Sequence, residues 1–222
     1  MGEVSALPSF GVDGEHGQNV GALDVLRRRL DGRFSVDAFG ADPQLQDLIA
    51  PVVRRLIPVR ASGAAHIPSE GPALFVSNRG SGVLEPTALS VAVRQESGRR
   101  LRVVGTPEVP MIGDVLRKFG SINNYPGDLA AVLRAGHLAA LPLGVNWLRT
   151  GSGVAPTDML VAALGYSVVP VFVGPGGPFG LPIRPWRVTF GAPITVGHIG
   201  DRDPLSAAEL AEAVRVAVHE LA

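Results

Sequence analysis

The densest chemistry in the chain runs from Ile67 to Pro86. A turn, Ile67-Pro68-Ser69-Glu70-Gly71-Pro72, delivers the apolar run Ala73-Leu74-Phe75-Val76-Ser77, and this ends in Asn78-Arg79-Gly80-Ser81-Gly82-Val83-Leu84-Glu85-Pro86 before a helical pattern begins. A loop joining a strand's carboxyl end to a helix N-terminus gathers unpaired backbone N–H groups, so open α/β sheets hold ligands there. Arg79 offers a planar fork suited to a phosphate or carboxylate beside the helix that Glu85-Pro86 opens. The other reading of the same residues is an Arg79–Glu85 ion pair that closes the loop.

Other chemistries find little support. The chain has no cysteine, which removes disulfides, thiolate nucleophiles and thiolate zinc cages. Of the histidines, His66 precedes a turn and His137 begins a strand, while His16, His198 and His219 fall in a leader, a loop and the last helix. None stands at metal-ligand spacing to another, and a satisfied structural imidazole is the simpler reading of each. Gly165-Tyr166-Ser167-Val168-Val169 lacks the closing glycine of a serine-hydrolase elbow. Gly174-Pro175-Gly176 opens no helix and is no dinucleotide fingerprint.

The elements that must position the Ile67–Pro86 segment are legible as alternating patterns. Strand-like runs are Pro58 to Ala61, Ala73 to Ser77, Leu101 to Gly105, Leu138 to Leu141, Val168 to Val173 and Trp186 to Phe190. Helical patterns are Pro86 to Gln95, Val109 to Phe119, Asp128 to Ala135, Pro156 to Leu164 and Leu205 to Leu221. The alternation predicts an α/β fold, a sheet with crossover helices. Ahead of it, Asp42-Pro43 reads as an N-cap and first helical residue, opening a helix that Pro51 should split or kink.

Residues 1–20 read as a flexible leader, 21–57 as an N-terminal helical segment and 58–222 as the α/β domain. Leu23, Leu26 and Leu30 share a helical face in the second of these. Its arginines, Arg27, Arg28, Arg29, Arg33, Arg54 and Arg55, with Arg60 just beyond, allow an interfacial helix on a membrane. Asp24, Asp31 and Asp47 equally allow an ordinary docked helix with a solvated face.

Twenty Lys+Arg against twenty Asp+Glu leave a net charge of +0 and no long-range field, which speaks against a nucleic-acid partner. Lys118 is the only lysine, and the arginine excess reads as a compositional bias without functional weight. No stretch reaches the roughly 18 apolar residues of a membrane span. A cytoplasmic protein, soluble or peripheral to the membrane, is the expectation.

Four blocks in order resemble the PlsC-like glycerolipid acyltransferases, also called lysophospholipid acyltransferases. The first is the strand and loop at Asn78, where that family has Asn-His, a short spacer and an acidic residue. The second is Phe119-Gly120-Ser121-Ile122, similar to the family's Gly-x-Ile block. The third is Arg134-Ala135-Gly136-His137-Leu138-Ala139-Ala140-Leu141-Pro142-Leu143-Gly144, similar to the strand entering Phe-Pro-Glu-Gly. The fourth is Ser167-Val168-Val169-Pro170-Val171 with Phe190-Gly191-Ala192-Pro193-Ile194.

The resemblance implies a mostly parallel mixed sheet flanked by helices, with an N-terminal helical appendage. It also implies an acyl-CoA or acyl carrier protein donor, a lysophospholipid-type acceptor and no cofactor or metal. By position it makes Asn78, Ser81, Gly82, Gly120, Ile122, Pro142 and Gly144 substrate-binding residues and Arg79 and Glu85 the catalytic positions. At those positions the family's reactive groups are replaced. The family's His-x-x-x-x-Asp dyad lets an imidazole take the acceptor's proton. Here Arg79 stands for the His with Leu84 at the acid position, or Glu85 stands for the acid with Gly80 at the base position.

A guanidinium stays protonated near neutral pH and cannot act as that base. Asn123, Asn124, Tyr125 and Pro126 follow Ile122 where the family has a phosphate-gripping arginine. Leu143 replaces its Glu, and Asn146 an often basic residue. The expectation is a family member inactive or altered in acyl transfer; the alternative is a non-catalytic lipid-binding or partner-binding protein on the same scaffold.

Overall fold

A computed structural model of the 222-residue chain describes residues 27, 35–78, 84–106, 111–142, 156–175 and 185–222. The chain divides into two compact units, 1–34 and 35–222. In the first only Arg27 is described, helical and exposed, so the expected leader and the leucine face at Leu23 lie outside the described residues. The second unit begins at Ser35 and includes the first helix, which sequence grouped with the N-terminal segment.

That helix, α1, spans Pro43–Leu56. Asp42 caps it by accepting from the Leu45 N–H at 2.9 Å, and Pro43 needs no N–H partner in the first turn. Of the split or kink expected at Pro51, the split does not occur: the helix is continuous. Pro51 and Asp47 are both exposed, so water can satisfy the carbonyl that Pro51 leaves without an N–H partner.

The sheet has seven strands: β1 Val59–Ser62, β2 Ala73–Ser77, β3 Leu101–Val104, β4 Ser121–Ile122, β5 Leu138–Pro142, β6 Ser167–Gly174 and β7 Trp186–Phe190. Their order is β1-β7-β6-β2-β5-β3-β4, and every pair is parallel except β6 with β7. The mostly parallel sheet is the expected one, and β4, two residues long, is an addition to it.

β2 is central and buried along its whole length. Strand periodicity sends Ala73 and Phe75 to one face and Leu74 and Val76 to the other, each into a separate core. On the Phe75 side lies α2, Leu84–Ser97, through Ala88, Leu89, Ala92 and Val93. Phe75 meets Phe190 edge-on there, ring centroids 5.8 Å apart. The Leu74 side is covered by α4, Pro126–Arg134, α5, Pro156–Val161, and α6, Pro204–Glu220. Between β3 and β4 runs the short α3, Ile112–Lys118.

Candidate functional site

Among the described elements, the order of strands and helices marks one place where a ligand crevice is expected. From β2 the chain passes to α2 on the Phe75 face; from β5, the neighbour of β2, it passes to α5 on the opposite face. Adjacent parallel strands whose connections leave to opposite faces form a topological switch point, where a ligand crevice opens beyond their carboxyl ends. Ser77 of β2 pairs with Pro142 of β5, so Asn78 and Pro142 stand side by side on its rim.

Asn78 is held there by its own side chain. Its backbone N–H donates to Val171 O at 3.2 Å, its Nδ2 donates to Val173 O at 3.1 Å, and its Oδ1 accepts from Val173 N at 2.6 Å. The carboxamide thus imitates a further backbone rung between β2 and β6, fixing the root of the following loop.

The other predicted residues divide. Arg79, Ser81, Gly82 and Gly144 lie outside the described residues. Glu85, half-buried and itself partnered, stands in the first turn of α2. Ile122 ends β4 with its side chain 5% exposed, in the core shared by Leu74 and Leu129. Gly120 has φ +95°, and a Cβ there would come 3.3 Å from Leu101 O, so this glycine sets the turn from α3 into β4. The structure thus brings Asn78 and Pro142 together, and it places Gly120 and Ile122 on the outer strands.

No imidazole is described beside Asn78. His66 Nδ1 lies 3.1 Å from Phe190 O, beyond the Gly63 turn, where φ is +73° and a Cβ would collide with Phe190 O at 2.1 Å. His137 precedes β5, at the amino edge of the sheet, edge-on to Phe39. Among the described residues no three His, Asp or Glu side chains could hold a metal ion.

Charge collects at that amino edge instead, in residues the sequence reading treated as compositional. Arg102, 5% exposed, pairs through Nη2 with Asp37 Oδ2, and its guanidinium carbon lies 5.6 Å from the Phe39 ring centroid. Burial would raise the Asp37 carboxyl, but hydrogen bonds from Arg102 and from the N–H groups of Ala41 and Phe39 outweigh it and hold the pKa below 3.8. Burial, helped by the Arg102 charge, pushes the His137 pKa below 6.5 against the pull of Asp37. The overlooked signal was Arg102 itself, a charge inside the strand run Leu101 to Val104.

No family model matches the chain. It is 30% identical over 88% of its length to the uncharacterized protein Rv0502 of Mycobacterium tuberculosis, of which it covers 70%. It is likewise 30% identical over 93% of its length to the uncharacterized protein ML2427 of Mycobacterium leprae, of which it covers 72%. The chain belongs to the family of these mycobacterial proteins. Among solved structures, the 1-acyl-sn-glycerophosphate (LPA) acyltransferase PlsC from Thermotoga maritima superposes with a TM-score of 0.50 over 80% of the chain and 81% of its own, at 15% identity. This member of the Rv0502 family therefore has an acyltransferase-like α/β fold. No helix among its described residues is long and apolar enough to cross a membrane.

Proposed function

We propose that the chain holds a glycerolipid or its acyl donor on this scaffold and does not run the acyltransferase family's base-catalysed transfer. One observation carries the reading: β2 ends at the switch point with Asn78, Arg79 follows it in sequence where the family has its proton acceptor, and His66 and His137 lie elsewhere. Loss of a general base costs about 10² to 10⁴ in rate. A guanidinium at that position can still bind a phosphate or carboxylate.

The test is acyl transfer from acyl-CoA and from acyl carrier protein to lysophosphatidic acid and a panel of lysolipids, with mass spectrometry of lipid that co-purifies. We expect no turnover by the wild type, acyl-bearing lipid in the purified protein, and measurable transfer once Arg79→His and Leu84→Asp restore the spacing. Turnover by the wild type would overturn the reading.

A peripheral membrane position is supported by α1, which has no fully buried residue. Val52 and Leu56 are 59% and 63% exposed, next to exposed Arg54 and Arg55. An amphipathic helix of this kind lies in the lipid interface with its cations toward anionic headgroups. Co-sedimentation with anionic liposomes is expected to fall when Val52→Glu and Leu56→Glu are combined; unchanged sedimentation removes α1 from the interface.

A further inference from the structure

We propose that the amino edge of the sheet carries a second binding site, for a small phosphate-class oxyanion seated between Arg102, Arg100 and the N-terminus of α1. It is separate from the crevice at Asn78: β2, β5 and β3 are parallel, and a five-residue strand puts its two ends about 16 Å apart.

The site is a cleft of about 260 Å³ walled by Asp37, Gln46, Arg99, Arg100, Arg102 and His137. Three guanidinium groups against one carboxylate leave the lining cationic. Arg99 is spent on neutral acceptors, donating to the carbonyls of Pro68 at 2.9 Å, Gly71 at 2.6 Å and Gly136 at 3.0 Å, so those bonds bring no opposing formal charge. Arg100 shares the carboxylate of Asp47, outside the lining, with Arg94.

Arg102 points to a ligand most directly. Asp37 takes its Nη2, while Nη1 is buried without an acceptor. A buried guanidinium N–H without an acceptor is costly, and native interiors rarely leave one unless a ligand completes it. Nη1 has no accessible surface with the cleft empty, so an oxyanion in the cleft supplies that acceptor by drawing the guanidinium round toward it. The first turns of α1, whose N-terminus is already capped by the Asp42 carboxylate, contribute Pro43 and Gln46 to the wall. The volume exceeds the roughly 30 Å³ share of one water several times, so a phosphate with a few attached carbons fits.

Isothermal titration and thermal unfolding of the full chain with inorganic phosphate, at ionic strength held constant with sodium chloride, test the site. The expected result is saturable binding with a melting temperature that rises with phosphate and not with chloride, weakened at least tenfold by Arg100→Glu and by Arg102→Gln. Arg100 is exposed, so its variant decides alone if Arg102→Gln fails to fold. Two further arms separate the sources of the phosphate. Tighter binding of glycerol 3-phosphate than of inorganic phosphate points to a soluble monoester, and Arg100-dependent binding to phosphatidic acid vesicles over phosphatidylcholine vesicles points to a lipid headgroup. A wild-type response that chloride reproduces, or one that Arg100→Glu leaves intact, overturns the site.

Discussion

At its carboxyl edge the sheet presents Asn78, whose carboxamide is consumed by the backbone of Val173, and beside it Pro142. At its amino edge, strand β3 is entered through Arg99-Arg100-Leu101-Arg102, and the side chains there meet Asp37, Asp47 and three backbone carbonyls. Parallel-sheet topology alone selects the first edge as the ligand crevice. Among the described residues, however, the arginine–carboxylate pairs gather at the second, with Arg102 Nη1 buried and without an acceptor there. The place where topology opens a crevice and the place where charge is densest among the described residues fall on opposite ends of the same strands.

The contrast is easiest to break at Asp37. Asp37→Asn leaves the Arg102 charge buried with no carboxylate, and disrupting a buried pair costs about 3–5 kcal/mol. The lower end is expected because the Asp37 side chain is 27% exposed. A urea midpoint showing less than about 1 kcal/mol would mean that water already reaches Arg102, and the amino edge would lose its distinction.

Next in size is Asn78→Leu, which strips both backbone groups of Val173 of partners at a position 3% exposed. At about 1–3 kcal/mol per unsatisfied group, and at the lower end because Asn78 is only half-buried, the expected loss is about 2 kcal/mol, again by urea unfolding. A near-neutral result would show that the carboxamide is free to serve a ligand.

The smallest effect is a slope. His137 and Asp37 both have folded-state pKa values below their ordinary ones, so each favours folding above the unfolded-state value and loses that contribution as pH falls toward the folded one. Stability should therefore decline on acidification below about 6.5 through His137, and again below about 3.8 through Asp37. His137→Gln should abolish the first decline and keep the second, read from urea midpoints between pH 7.5 and pH 3. A wild-type stability that is flat from pH 7.5 to pH 5 would place His137 in water.

Much of the architecture was legible because strands buried on both faces read as unbroken apolar runs. Ala73 to Ser77 matches β2 to the residue on that ground, and Trp186 to Phe190 matches β7 through alternation instead, with Arg187 exposed between buried Trp186 and Val188. β4 escaped because two residues carry no period, and the helix runs on through Pro51 because a proline on a wet helix face costs less than one in a core. At the site, Asn78 was picked out as a binding residue from its place in the sequence. Its bonds to Val173 span 95 positions, which no local pattern conveys. The arginines of the amino edge were hidden by composition: in a chain with nineteen arginines and one lysine, an arginine draws attention only when it interrupts a core strand, as Arg102 does.

The rung that Asn78 adds beyond the last backbone pair settles the alignment of β2 with β6 before position 79 is reached. Strand registration is therefore carried by residues up to and including Asn78, in a chain whose chemistry-bearing loop follows it in sequence.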